Sequence, residues 1–146
     1  MSNIAYNPFK VQTVYKSNGY ADPGDHPVND ADVDDTERFT DVIDKTKYEF
    51  VDVFVHYEGG DAVDALTIRV YKRETSVFGG GISEVEHDID SIVIPGAEHG
   101  GNKKNWTKVI GVDDGTGYFR LGFLSGGSTT DFDVMCRVAL RSRIIV

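Results

Sequence analysis

The chain has 146 residues, 24 acids against 15 Lys and Arg, a formal net charge of -9 and 40 % hydrophobic residues. That is one domain, with or without a tail, and it is long enough to bury roughly two-thirds of its unfolded surface. The charge argues against a binder of nucleic acid or of an anionic membrane. The single cysteine, Cys136, excludes an intrachain disulfide and any zinc site built on several Cys.

The N-terminal stretch Met1–Pro8 has no basic region leading into an apolar run, so it reads as no signal peptide, and the expected place of synthesis is a cytoplasm. No apolar run approaches the length of a membrane span. Charge is concentrated between Asp22 and Asp44, where nine acids meet one base, Arg38. The rest of the chain is nearly neutral. Three of the four prolines, Pro8, Pro23 and Pro27, also lie early, and proline removes a backbone donor. Residues 1–37 therefore read as an N-terminal arm or acidic excursion, and 38–146 as the folded body. Tyr6, Phe9, Val11 and Tyr15 are apolar anchors on this solvated arm and become the candidate partner-binding residues. An alternative for the same stretch is a first strand, with Phe9, Val11, Thr13 and Tyr15 on one side.

The body alternates. Val51, Val53, Val55 and Tyr57 share one face of a strand, while Tyr48, Phe50, Phe54 and His56 share the other with Asp52. A strand apolar on both faces needs cover on both. Glu58-Gly59-Gly60-Asp61 is turn chemistry. Leu66, Ile68 and Val70 then alternate with Thr67, Arg69 and Tyr71. Ile92–Ile94 is a short strand stopped by Pro95-Gly96. Trp106, Lys108, Ile110 and Val112 alternate with Thr107, Val109 and Gly111. Phe119, Leu121 and Phe123 alternate with Tyr118, Arg120 and Gly122. After Ser125-Gly126-Gly127-Ser128 a long strand carries Phe132, Val134, Cys136, Val138 and Leu140 on one face. Six or seven strands, Gly-rich turns and no amphipathic helix spell an all-β, antiparallel β-sandwich, a jelly roll first and an immunoglobulin-like sandwich second. The apolar second face of Tyr48–Tyr57, with Met135, Ala139 and Ile145, predicts a homo-oligomer, a trimer by preference.

No catalytic set is spelled out, so the chain reads as a non-enzyme without a cofactor. Asp30, Asp32 and Asp34 have the alternate spacing of a calcium loop, but Asp35 stands where the turn needs Gly and Asp41 where a bidentate Glu is needed. The expected reading is a solvated acidic loop and no metal site. His26, His56, His87 and His99 form no ligand pair at metal spacing. Cys136, mid-strand between Val134 and Val138, reads as a small buried hydrophobe rather than a nucleophile. Gly79-Gly80-Gly81 lacks the Lys-Ser/Thr of a phosphate loop, and Asp113-Asp114 has no second carboxylate pair across a cleft. Trp106 and the tyrosines could build a sugar platform, but aromatics more often fill a core or an interface.

The run from Gly117 to Val134 is an aromatic strand, a Ser/Gly/Thr turn and the start of a long strand with basic outer residues. Together with the acidic N-terminal stretch and the all-β body, it resembles the C-terminal hairpin of small jelly-roll decoration, or cement, proteins of tailed-bacteriophage capsids. The resemblance covers about residues 100–146. It implies a structural virion protein on the capsid surface, bound to the major capsid protein as a homo-oligomer, commonly a trimer, with no catalytic residues. The rival reading is a carbohydrate- or receptor-binding β-sandwich module.

Overall fold

The computed structural model describes residues 4–6, 10–17, 30–48, 50–59, 64–79, 85–86, 92–94, 106–112, 117–127, 132–141 and 143–145, with side chains described at 10–17, 30–48, 51–59, 64–79, 92–94, 117–127 and 132–141. Among these residues the regular structure is all strand: β1 (Ile4–Tyr6), β2 (Lys10–Lys16), β3 (Arg38–Phe39), β4 (Ile43–Asp44), β5 (Phe50–Gly59), β6 (Leu66–Arg73), β7 (Val85–Glu86), β8 (Ile92–Ile94), β9 (Trp106–Val112), β10 (Tyr118–Ser125), β11 (Phe132–Arg141) and β12 (Arg143–Ile145). Every ladder between them is antiparallel.

One sheet has the order β2-β11-β5-β9. In the other, β10 and β6 are central. Short strands β3 and β4 share one edge of β10, and β7 and β8 share the far edge of β6. Among the described residues, strands β1 and β12 pair only with each other. The two larger sheets pack as a β-sandwich. Alternation decides which side chains meet between them: Val51, Val53, Val55 and Tyr57 from β5, Leu66, Ile68 and Val70 from β6, Phe119, Leu121 and Phe123 from β10, and Phe132, Val134, Cys136, Val138 and Leu140 from β11. Each such side chain contributes about 1.5–3 kcal/mol on burial. Tyr15 of β2 meets Phe123 of β10 edge-on across the gap, with ring centroids 5.4 Å apart.

Two expectations bear on particular residues of the fold. The first is the arm. Lys10–Lys16 is an edge strand of the first sheet, paired with β11 from Lys10↔Leu140 to Lys16↔Met135. The acidic stretch is tied in as well. Asp30 donates its backbone N–H to Lys16, Val33 and Phe132 exchange backbone hydrogen bonds, and the Ser125 N–H reaches the Asp34 carbonyl. Val33 is fully buried while its neighbours Ala31, Asp32 and Asp35 are exposed. Its described acids Asp30, Asp32, Asp34, Asp35 and Glu37 are exposed or half-buried on a segment that is bonded into the fold. Among the described residues, strands and hydrogen bonds on both sides of residue 37 belong to the same two sheets.

The second is the apolar outer strip. Met135 and Ala139 lie on the outer side of β11 but are 0 % and 4 % exposed within the protomer. Both are covered within the protomer. Ile145 sits in β12, opposite Ile4.

Candidate functional site

The outer face of the β10–β6 sheet is built by the same alternation that fills the core. Inward Phe119, Leu121 and Phe123 force Tyr118, Arg120, Gly122 and Leu124 outward. Inward Leu66, Ile68 and Val70 do the same for Thr67, Arg69, Tyr71 and Arg73. The ladder sets Arg120 opposite Tyr71, Gly122 opposite Arg69 and Tyr118 opposite Arg73. From the edge, β3 places Phe39 beside Gly122.

Gly122 makes the arrangement possible. A Cβ there would stand 2.3 Å from Glu37 Oε1 and 3.1 Å from the Tyr71 ring. The missing side chain lets the Glu37 carboxylate lie across the strand. Tyr71 donates its hydroxyl to Glu37 Oε1 at 2.8 Å, and Arg69 Nη1 is 3.7 Å from the same oxygen. Partial burial, and next the bond to Glu37, push the Tyr71 phenol above its usual range, so it remains a proton donor. Beside this trio the Arg120 guanidinium lies 3.7 Å from the Phe39 ring centroid and 5.1 Å from that of Phe78. Phe39 in turn meets Tyr71 edge-on at 6.0 Å.

These are half-buried side chains held in one geometry, so little conformational freedom remains to be lost when they bind. Arginine and aromatic residues dominate the energetics of protein interfaces, where fixed guanidinium donors meet carboxylates or carbonyls. The cluster sets a carboxylate, a phenol, two guanidinium groups and two further ring faces side by side. Sequence reasoning placed Tyr118, Arg120 and Gly122 on one face but did not see the site. Its other half, Glu37 and Phe39, arrives from the segment read as arm and its junction with the body.

No protein-family model and no curated protein matches the chain.

The residues singled out in the sequence lie elsewhere, on β1, β2, β5 and β9 or outside the described residues. Tyr15 is 2 % exposed and donates its hydroxyl to the Ala31 carbonyl, so it belongs to the core and is not free to bind a partner. Val11 is 55 % exposed on the edge strand, and Tyr6 lies in β1 opposite Arg143. Phe9 lies outside the described residues, as do His26, His87, His99 and the pair Asp113-Asp114. Trp106 is opposite Tyr57 in the β9–β5 ladder. His56 is half-buried on the outer side of β5.

The acidic residues carry structural bonds. Asp30 accepts the Lys16 N–H at 2.9 Å. Asp34 accepts the Thr36 N–H at 2.9 Å and faces the Arg38 guanidinium at 3.2 Å; these bonds, the backbone one first, hold its pKa below the usual carboxylate range. Among the described residues, no group of three or more His, Cys, Asp or Glu is placed to hold a metal ion. Cys136 is fully buried, and burial pushes its thiol pKa up, away from thiolate chemistry. A cavity of about 240 Å³ opens between the sheets at the β4 end, lined by Lys10, Gln12, Asp44, Lys47, Tyr48 and Leu140, among others.

Proposed function

We propose that the chain is a structural virion protein that decorates a phage capsid, not an enzyme, and that it binds the major capsid protein as a homo-oligomer, most simply a trimer. The observation that supports this reading is the arginine–aromatic face of β10 and β6, whose half-buried side chains are fixed in one geometry. The likeness of residues 117–134 to the hairpin of small capsid decoration proteins supports it. So does strand order. If β3 with β4 counts as one strand and β7 with β8 as another, and the separate β1–β12 pair is set aside, eight strands remain. In chain order they form sheets 1-8-3-6 and 2-7-4-5. That interleaving is our reason for reading the sandwich as a jelly roll, the fold of many capsid proteins.

On this reading the protein acts by burying area at several equivalent contacts, so a modest single-site affinity becomes tight attachment. Residues at the rim of the face set approach, and Arg120 with its two rings supplies the anchor. The test is co-sedimentation of the purified protein with capsids of the phage whose genome carries its gene. Saturable binding that falls at least about tenfold in Arg120→Ala, roughly one hot-spot residue, supports the proposal. Absence of binding, with retention of the protein on an immobilised glycan instead, overturns it in favour of a carbohydrate-binding module.

A further inference from the structure

One open side of the sandwich lies between the edge strands β2 and β4. The chain entering β4 ties that side together. The Thr40 N–H bonds to the Leu121 carbonyl in one sheet, and the next residue, Asp41, bonds its N–H to the Val14 carbonyl in the other. On the Lys10 side of that tie the two sheets border the cavity of about 240 Å³.

The register of β2 decides what lines it. Regular alternation from buried Tyr15 would turn Thr13 and Val11 inward. The bulge reverses this. Gln12 stands opposite Val138 and Lys10 opposite Leu140, both core residues, while Val11 stands opposite Ala139 and is 55 % exposed. An apolar side chain is turned out, and an amide and an ammonium are turned toward the gap between the sheets. That breaks the local pattern that fills a core, and such breaks concentrate at functional sites. Bulges recur where a strand re-aims its side chains.

The facing wall is made by Val42 and Asp44, then by Lys47 and Tyr48 from a turn closed by the Tyr48 N–H on the Lys45 carbonyl. Asp44 is committed to that turn: its Oδ1 accepts the Thr46 hydroxyl at 2.6 Å and the Thr46 N–H at 2.9 Å. These bonds, the hydroxyl first, hold its pKa below the usual carboxylate range, and the nearby Lys47 and Lys10 ammoniums add to the effect. Every polar side chain of the described lining except Asp44 can donate a hydrogen bond: Lys10, Gln12, Lys47 and Tyr48. Between them Leu140, buried, and the Tyr48 ring, packed against the core, offer apolar surface.

We propose that this cavity binds a small organic carboxylate, with its anionic end on Lys10 and Gln12 and its apolar body against Leu140 and the Tyr48 ring. At about 30 Å³ per water in the liquid, the cavity corresponds to about eight waters, which a molecule of roughly ten heavy atoms replaces. The site lies between the sheets, away from the outer face of β10 and β6, and does not depend on the capsid reading.

Benzoate is the probe, titrated into the isotope-labelled full chain and followed by NMR. Benzamide, benzylamine and sulfate serve as controls for the charge, its sign and the apolar body. The expected result is saturable shifts at β2, residues 42–48 and the end of β11, with a dissociation constant of about 1 mM or lower and each control at least about tenfold weaker. Lys10→Gln should weaken benzoate at least about fivefold, and Lys10→Arg should keep it, since it restores the charge. Both should leave the thermal transition in place, because Lys10 is exposed. Gln12→Glu should weaken benzoate and strengthen benzylamine, which reads the charge of the site whatever Lys10→Gln does to the fold. Val11→Ser, on the same strand but on the other face, should change neither. Absence of saturation at about 10 mM benzoate would overturn the proposal. So would an equal response to benzamide or sulfate, or binding indifferent to both Lys10→Gln and Gln12→Glu.

Discussion

At the scale of single residues, two hydroxyls perform the same task on opposite sheets. Ser17 donates its backbone N–H to the Val134 carbonyl, and its Oγ accepts the Val134 N–H at 3.0 Å. Thr40 does this with Leu121, whose N–H reaches Thr40 Oγ1 at 3.1 Å. In each case a side-chain oxygen replaces the ladder carbonyl where the chain turns away from its neighbour. Both acceptors are buried, so losing one leaves an N–H without a partner. Ser17→Ala and Thr40→Val should each lower stability by about 1–3 kcal/mol in urea unfolding. A cost near zero for both would mean that water reaches these N–H groups. Cys136 gives a pH signature. Burial raises its folded-state pKa, whereas the unfolded thiol titrates near 8.5. Its contribution is therefore complete below about pH 8.5 and is lost as pH rises toward the folded value, at up to about 1.4 kcal/mol per pH unit. Tyr15 and Tyr71, also raised, add to the loss above about pH 10. Cys136→Val should flatten the first part of this decline in melts taken between those two pH values. An unchanged slope would assign the decline to other groups.

At the scale of elements, alternation made β5, β6, β10 and β11 legible in the sequence, because each must place an apolar residue inward at every second position. The first strand was only half legible. Phe9, Val11, Thr13 and Tyr15 share one side of a regular strand, yet the structure has Tyr15 in the core and Val11 exposed. The reason is a register shift between Cys136 and Arg137: Cys136 faces Tyr15, but Arg137 faces Thr13, skipping Val14. One extra residue flips every side chain that follows, so Val14 and Tyr15 both go inward. No periodicity announces a bulge, and the proline and acid content of the first third pulled the reading toward an arm. The arginine–aromatic face was hidden for a related reason, since Glu37 and Phe39 meet β10 only through pairing distant in sequence. Removing residues 1–17 should therefore strip a paired strand and two buried core side chains. Loss of the cooperative thermal transition in that truncation is the expected outcome. A transition within a few degrees of the full chain would restore the arm.

At the scale of the whole molecule, segments far apart in sequence close one core, with Val14, Tyr15, Val33 and Ile43 from the first third packed among residues of β5, β6, β10 and β11. Such a core cannot lose a sheet edge without opening. Unfolding should be a single transition, with an enthalpy of about 100 kcal/mol near 60 °C for a domain of this length, and the calorimetric and van't Hoff values should agree. A sharper test separates covalent from structural attachment. A specific protease site is introduced between Ser17 and Asp30 and the chain is cut there. If the strand Lys10–Lys16 is held by its ladder to β11 and by its buried side chains, the nicked protein will elute as one species under native conditions, with both fragments present. It will fall apart only in denaturant. The nick should also lower the melting temperature and make it depend on concentration, because unfolding then releases two chains instead of one. Were residues 1–17 an appendage, the small fragment would leave on cutting and the remainder would melt as before.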